Sequence, residues 1–285
     1  MRGWWQEIAD LALPADCAGC GRPGGALCER CRGALRGSGA RRVEPSPVPP
    51  GLPVVHAAVD YVDEARAVLL AHKERGALRL ARPLGEALAG AVRAACPGPG
   101  PGSGPGPESG SGPGAGSRRR AGAGLDRVSG ARPGTGSGAG AGARPGCGSG
   151  ARPGGSPLLL VPVPSARRAV GARGHDPARR IALAAAGVLR GGGRPARVPA
   201  VLRQRRRVSD QSGLDARQRR ANVTGALGAV PGSGRLLAAG PVVLVDDLMT
   251  TGASLAEAAR AVTAAGGLVI GAAVVAAPLT RINRN

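Results

Sequence analysis

Phenylalanine is missing from this 285-residue chain, and Trp4, Trp5 and Tyr61 are its only aromatic residues. That scarcity removes the usual stacking platform for a nucleobase and counts against tight autonomous binding of single-stranded nucleic acid, which normally relies on such stacking. Long apolar runs are missing too. The longest, Leu268 to Leu279, covers about 12 residues including Gly and Pro, short of the roughly 20 that a membrane helix needs, so no membrane span is expected. Between Met1 and Pro14, Arg2, Glu7 and Asp10 interrupt the apolar stretch a secretory signal requires. Trp4, Ile8 and Leu11 fall instead on one helical face, and a cytoplasmic location is the expectation.

Lysine is nearly absent as well. Lys73 is the only one, so Arg supplies almost all of the 39 basic residues, which against 18 acidic ones leave a net charge of +21. A coding sequence rich in G and C inflates Arg, Ala, Gly and Pro together, which makes the charge a weak pointer, although Arg-rich surfaces do suit polyanions. What the chain has in excess is Gly, at 50, and Pro, at 26, more than a quarter of all residues and without a collagen period. Most of that excess lies in 97–157, a stretch too poor in apolar residues to offset the cost of ordering it. We expect it to be a disordered insertion. The remaining residues, roughly 224, suit one domain of moderate size with a small module attached.

Four of the six cysteines form two C-x2-C pairs, Cys17 with Cys20 and Cys28 with Cys31. Each pair can present two thiolates to one tetrahedral ion, so structural zinc is the first reading. Two disulfides would need an oxidising compartment, and two redox pairs would not explain such close spacing. Gly21-Arg-Pro-Gly-Gly-Ala-Leu27, between the pairs, is rich in turn formers and lets a small knuckle close. Four thiolates leave no open position for catalysis. Cys96 and Cys147 are read as incidental.

The rest of the chain alternates strand and helix signals. Val54 to Val62 suggests a strand; Ala65, Val68, Leu69 and His72 share a helical face, and a second helix runs from about Leu78 to Ala95. Past the insertion come an apolar strand at Leu158 to Pro164, a loop at Arg167 to Asp176 and a helix at Pro177 to Leu189. A short apolar run, Val198 to Leu202, precedes an Arg-dense polar stretch to Asn222. A buried-type strand, Pro241 to Val245, a helix, Ser254 to Ala265, and a last strand, Leu268 to Ala276, complete the series. The pattern indicates an α/β fold, a mostly parallel sheet covered by helices. His56, His72 and His175 fit structural positions better than ligand positions.

The sharpest signal is Val242-Val-Leu-Val-Asp-Asp-Leu-Met-Thr-Thr-Gly-Ala-Ser254: an apolar strand, two carboxylates, and a hydroxyl-rich loop opening a helix. Ligands of open α/β sheets bind beyond the carboxyl ends of strands. Thr250, Thr251, Gly252, Ala253 and Ser254 offer backbone N–H groups, hydroxyls and a helix N-terminus to a phosphate monoester. Asp246 and Asp247 suit a ribose diol or a Mg²⁺ ion. The missing Gly-Lys pair of a P-loop argues against ATP hydrolysis. Paired acids after a strand also cap turns, and the loop also resembles an ordinary helix start.

In this order the features resemble the 5-phosphoribosyl 1-pyrophosphate (PRPP) motif of type I phosphoribosyltransferases, and more narrowly the ComF family, which is linked to DNA uptake in competent bacteria. The resemblance covers all but the insertion. It rests on the four-cysteine module, Val161-Pro-Val-Pro164 followed by Arg167, Arg173-Gly174-His175-Asp176, the stretch Arg207, Gln211, Leu214, Arg217, Asn222, and the acid motif. It implies a zinc-binding module with an N-terminal helix over 1–53 and a phosphoribosyltransferase-like domain over 54–285. It further implies that Asp246 and Asp247 hold the ribose hydroxyls, that residues 250–254 cradle the 5-phosphate, and that the Arg173-Gly174 turn meets pyrophosphate carrying Mg²⁺. One departure stands out: Asp176-Pro177 replaces the usual Asn-Gln and removes two donors from that turn.

Arg207 and Arg217 are the candidates for stabilising the departing pyrophosphate, because guanidinium forks match phosphate oxygens and stay charged. The same arginines also suit a solvated or nucleic-acid-facing surface. The favoured expectation is an enzyme transferring a phosphoribosyl group to an acceptor the sequence does not specify. The alternative is a non-catalytic PRPP sensor or scaffold that engages single-stranded DNA or a DNA-processing partner. Assembly into a homo-oligomer is left open.

Overall fold

The computed structural model describes residues 16–96, 156–206 and 216–279. The expected helix around Trp4, almost all of the insertion, and Arg207, Gln211 and Leu214 lie outside the described residues.

Eight strands and eight α-helices are described. In chain order they are α1 (Glu29–Arg36), β1 (Arg41–Val43), β2 (Val55–Asp60), α2 (Asp63–Glu74), α3 (Ala81–Ala95), β3 (Leu158–Pro162), α4 (Arg167–Arg173), α5 (Pro177–Gly191), β4 (Ala196–Arg197), β5 (Leu202–Gln204), α6 (Ala216–Val223), β6 (Leu227–Ala229), α7 (Gly234–Leu237), β7 (Val242–Leu248), α8 (Ala253–Thr263) and β8 (Val269–Ala277). Six strands form one sheet in the order β1-β2-β8-β7-β3-β4, parallel throughout except for β1 against β2. A separate antiparallel pair, β5 with β6, stands apart. The expected α/β architecture is therefore present, with a mostly parallel sheet between helices.

Side-chain alternation along the central strands feeds two cores. Val243 and Val245 of β7, with Leu158 and Leu160 of β3, face Leu84 and Leu88 of α3, Ile181 and Leu189 of α5, and Leu35 of α1. Val242 and Leu244, with Leu159 and Val161, face Leu255 and Val262 of α8 and Leu227 of β6. Strands buried on both faces need continuous apolar runs, as Leu158-Leu-Leu-Val161 and Val242-Val-Leu-Val245 provide.

Helices α3 and α5 meet at Gly85. A Cβ there would lie 2.8 Å from the backbone N of Ala185 and would also strike the Ala184 side chain. Such overlap forces the helices apart. We expect Gly85→Val to lower stability by about 3 kcal/mol in urea denaturation, whereas Gly90→Ala, with open space around it, should not destabilise.

Three local differences from the sequence expectation have physical causes. Arg167 to Arg173 forms helix α4 rather than loop, since Arg and Ala favour helix and Gly174, left-handed at φ 74°, closes it by donating to the Val170 carbonyl at 2.8 Å. Strand β7 runs past Val245 to Leu248, because Asp246 and Leu248 pair with Val274 and Ala276 of β8 and ladder pairing outweighs the poor strand propensity of Asp. Cys96, read as incidental, is buried at the end of α3, where its carbonyl accepts from the Arg194 guanidinium.

Candidate functional site

The four cysteines come together. Cys17 and Cys20 lie on a turn closed by the Gly21 N–H donating to the Cys17 carbonyl at 2.8 Å; Cys28 is the N-cap of α1, and Cys31 sits in its first turn. Their four sulfurs lie within 4.8 Å of one another, and Cys20 Sγ is 3.6 Å from Cys28 Sγ. A tetrahedral ion with Zn–S bonds of about 2.3 Å requires sulfurs about 3.8 Å apart, so the cluster can hold a metal such as zinc. Burial alone would raise the Cys17 thiol, but backbone N–H groups of Cys20, Cys28 and Gly19 and the Cys28 thiol bring it down to about 6. Burial, then its thiol neighbours, push Cys31 up.

The module is joined to the domain core. Leu35 belongs to the same apolar cluster as Val68 and Leu84, and Ala18 and Leu27 pack against it. Arg30 bonds Glu64 of α2 at 2.9 Å, and a Cβ on Gly19 would lie 3.3 Å from Val68 and 2.7 Å from Cys31 Sγ. The segment assigned to the module also supplies β1, which joins the main sheet.

The acid pair sits at the carboxyl end of β7. The chain leaves β3 through α5 to β4 on one side, and leaves β7 through α8 to β8 on the other. The adjacent strands β3 and β7 therefore flank a topological switch point, where open α/β sheets leave a crevice. Strand alternation would send Asp246 and Asp247 to opposite faces, yet they remain coupled. The Asp247 N–H donates to Asp246 Oδ1 at 2.8 Å, and burial, then the Asp247 charge, push the Asp246 carboxyl well above the usual range. The residues after β7 open α8. Gly252 is left-handed at φ 72°, and no side chain caps the helix. Thr250 is exposed, Thr251 and Ser254 are half-buried, and Gly252 and Ala253 are buried. Leu52 closes one side, 3.0 Å from where a Gly252 Cβ would stand.

Sequence reasoning missed Lys73. On the last turn of α2 its ammonium bonds Asp247 Oδ2 at 2.9 Å, with the Asp247 side chain only 5% exposed. Burial disfavours the Lys73 charge, but the two carboxylates outweigh it and raise its pKa. The one signal that could have found it is its singularity in an Arg-dominated chain.

Arg173 is brought close. It pairs with Glu74, next to Lys73, at 2.9 Å, and its charge is felt at Lys73. His175 is buried as expected of a structural residue, its ring nitrogens 3.0 Å from the Arg173 carbonyl and 3.1 Å from that of His72. Asp176 is the N-cap of α5, accepting from the Arg179 N–H at 3.2 Å, with Pro177 at the favoured first position. Asn caps as well as Asp, so this departure preserves the helix start. Arg217 is exposed on α6, which packs on α8, and nothing places it at the acid pair. A hollow of about 470 Å³ lined by Asp63, Arg66, Ala67, Leu70, Glu74 and Arg75 opens on α2, and it contains none of the residues singled out from the sequence. No helix among the described residues is long and apolar enough to cross a membrane. Compared with known proteins, the chain matches no protein-family model and no curated protein.

Proposed function

We propose that the chain is a ComF-like phosphoribosyltransferase-domain protein that binds PRPP with Mg²⁺ and transfers its phosphoribosyl group to an acceptor, with zinc held by Cys17, Cys20, Cys28 and Cys31. The observation that carries this reading is the position of Asp246 and Asp247 at the carboxyl end of β7, beside the switch point, followed directly by the uncapped loop that opens α8. Carboxylates accept from a sugar diol, and free N–H groups with hydroxyls at a helix start suit a terminal phosphate.

In this reading Asp246 and Asp247 hold the ribose hydroxyls while residues 250–254 hold the 5-phosphate, which fixes the anomeric carbon between β7 and β3. The bond from that carbon to pyrophosphate breaks with its electron pair leaving on the oxygen, and the acceptor's lone pair forms the new bond. Mg²⁺ on the pyrophosphate supplies neutralising charge. Arg173, whose charge is felt at Lys73 beside the acid pair, is the described guanidinium assigned to the leaving group, and Arg207 and Arg217 are the further candidates for stabilising its departing charge.

The test is calorimetric titration with PRPP and Mg²⁺. Saturable binding at one site per chain is expected, and pyrophosphate release with candidate nucleophiles then separates a transferase from a PRPP sensor that engages single-stranded DNA or a DNA-processing protein. Absence of binding removes the reading.

A further inference from the structure

Lys73 and Asp247 form an ion pair at the edge of the proposed sugar site rather than in the middle of a core. The Asp247 carboxylate is almost fully enclosed, whereas the Lys73 side chain is 35% exposed. An enclosed carboxylate needs a partner, and here it comes from α2, 174 positions away in the chain. An arginine fork would cover both carboxylate oxygens. The lysine ammonium has three donors, and its ion pair is to Oδ2 of Asp247.

A hydroxyl group both donates and accepts. A carboxylate beside an ammonium offers it one acceptor and one donor at adjacent points, and the cation stops the carboxylate from turning away. The surrounding charges are Asp246 on β7, Glu74 and His72 on α2, and Arg173 and His175 at the α4–α5 turn. Glu74 is engaged by Arg173, and His175 by two backbone carbonyls. Among these groups, Lys73 is the cation whose ion pair is with the acid pair.

Resting on the sugar-phosphate reading of this site, we infer that Lys73 and Asp247 together read one ring hydroxyl of the sugar, Asp247 accepting its proton and Lys73 donating to its oxygen. Lys73 is then a substrate-contacting specificity residue and not merely a strut between α2 and β7. A strut would affect all ligands alike; a hydroxyl reader affects only ligands that carry the hydroxyl.

The experiment compares ribose 5-phosphate, its 2-deoxy and 3-deoxy analogues, and inorganic phosphate on the full chain by calorimetry. Wild type should prefer ribose 5-phosphate over one of the deoxy analogues by about 10- to 100-fold, the range for a charge-assisted hydrogen bond. Lys73→Met should collapse that preference by weakening ribose 5-phosphate alone, with phosphate affinity unchanged; Lys73→Arg should retain part of it. Because Lys73 is the only lysine, a second measurement needs no variant. Amine acetylation of the folded wild type, read by mass spectrometry, should be slowed at Lys73 by ribose 5-phosphate and not by phosphate. If Lys73→Met keeps the full preference, or acetylation is indifferent to the sugar, the inference is overturned while the site reading survives. If wild type binds neither PRPP nor ribose 5-phosphate, both fall.

Discussion

Changing Cys17 and Cys20 together to serine should remove bound metal, from about one equivalent per chain to none by metal analysis, and should lower the melting temperature of the whole fold by more than about 10 °C. Structural zinc contributes on the order of 10 kcal/mol or more in small fingers, comparable with the total stability of a domain. Only part of that reaches the domain, through the shared contacts. Leu35 of α1 is 1% exposed within the main core, and the turn carrying Cys17 and Cys20 bears on α2 through Gly19 and Val68. Releasing the sulfurs therefore loosens α1, then the α2 and α3 surfaces beneath it. A single unfolding transition shifted downward is the expected trace. Full metal content in the double mutant would reject the site, and metal loss with an unchanged transition would show that the module is energetically separate.

The parts of this molecule that could be read from sequence are those whose signal is local. The runs at Leu158 to Val161 and Val242 to Val245 announce strands buried on both faces, and the two C-x2-C pairs announce four clustered sulfurs able to hold one ion, because neighbours in the chain supply most of the geometry. What could not be read depends on distant partners. Nothing around Asp246 says that β7 continues through it; the ladder to β8 decides that. Nothing around Lys73 says that its partner is Asp247, since only the fold brings the end of α2 to the end of β7. The departure at Asp176 reads as a lost pyrophosphate donor when judged against a family pattern, and becomes a helix cap once α5 is seen to begin there. The link between the cysteine module and the core escapes for the same reason, as a four-cysteine spacing carries no information about what Leu35 packs against.

Asp246→Asn combined with Asp247→Asn should abolish PRPP binding, an affinity loss of at least about 100-fold in calorimetry, if two charge-assisted hydrogen bonds to the diol are lost at about 10-fold or more each. The same change should not unfold the protein near neutral pH. Asp246 has a raised pKa in the fold because of burial and the Asp247 charge, so its ionisation opposes folding: that cost is absent well below the unfolded carboxylate pKa and is fully present once pH exceeds the folded value. Asp246→Asn alone therefore should raise the melting temperature relative to wild type, by a margin that grows as pH rises above the unfolded carboxylate value of about 4. Asp247→Asn alone should instead lower the melting temperature, because it removes the carboxylate that pairs with the Lys73 ammonium beside the sheet. This pairing of opposite stability effects with a common loss of sugar binding is hard to obtain from acids that merely shape a turn. Turn-capping acids would lose stability together and leave PRPP affinity untouched, and that outcome would remove the sugar site from this end of β7.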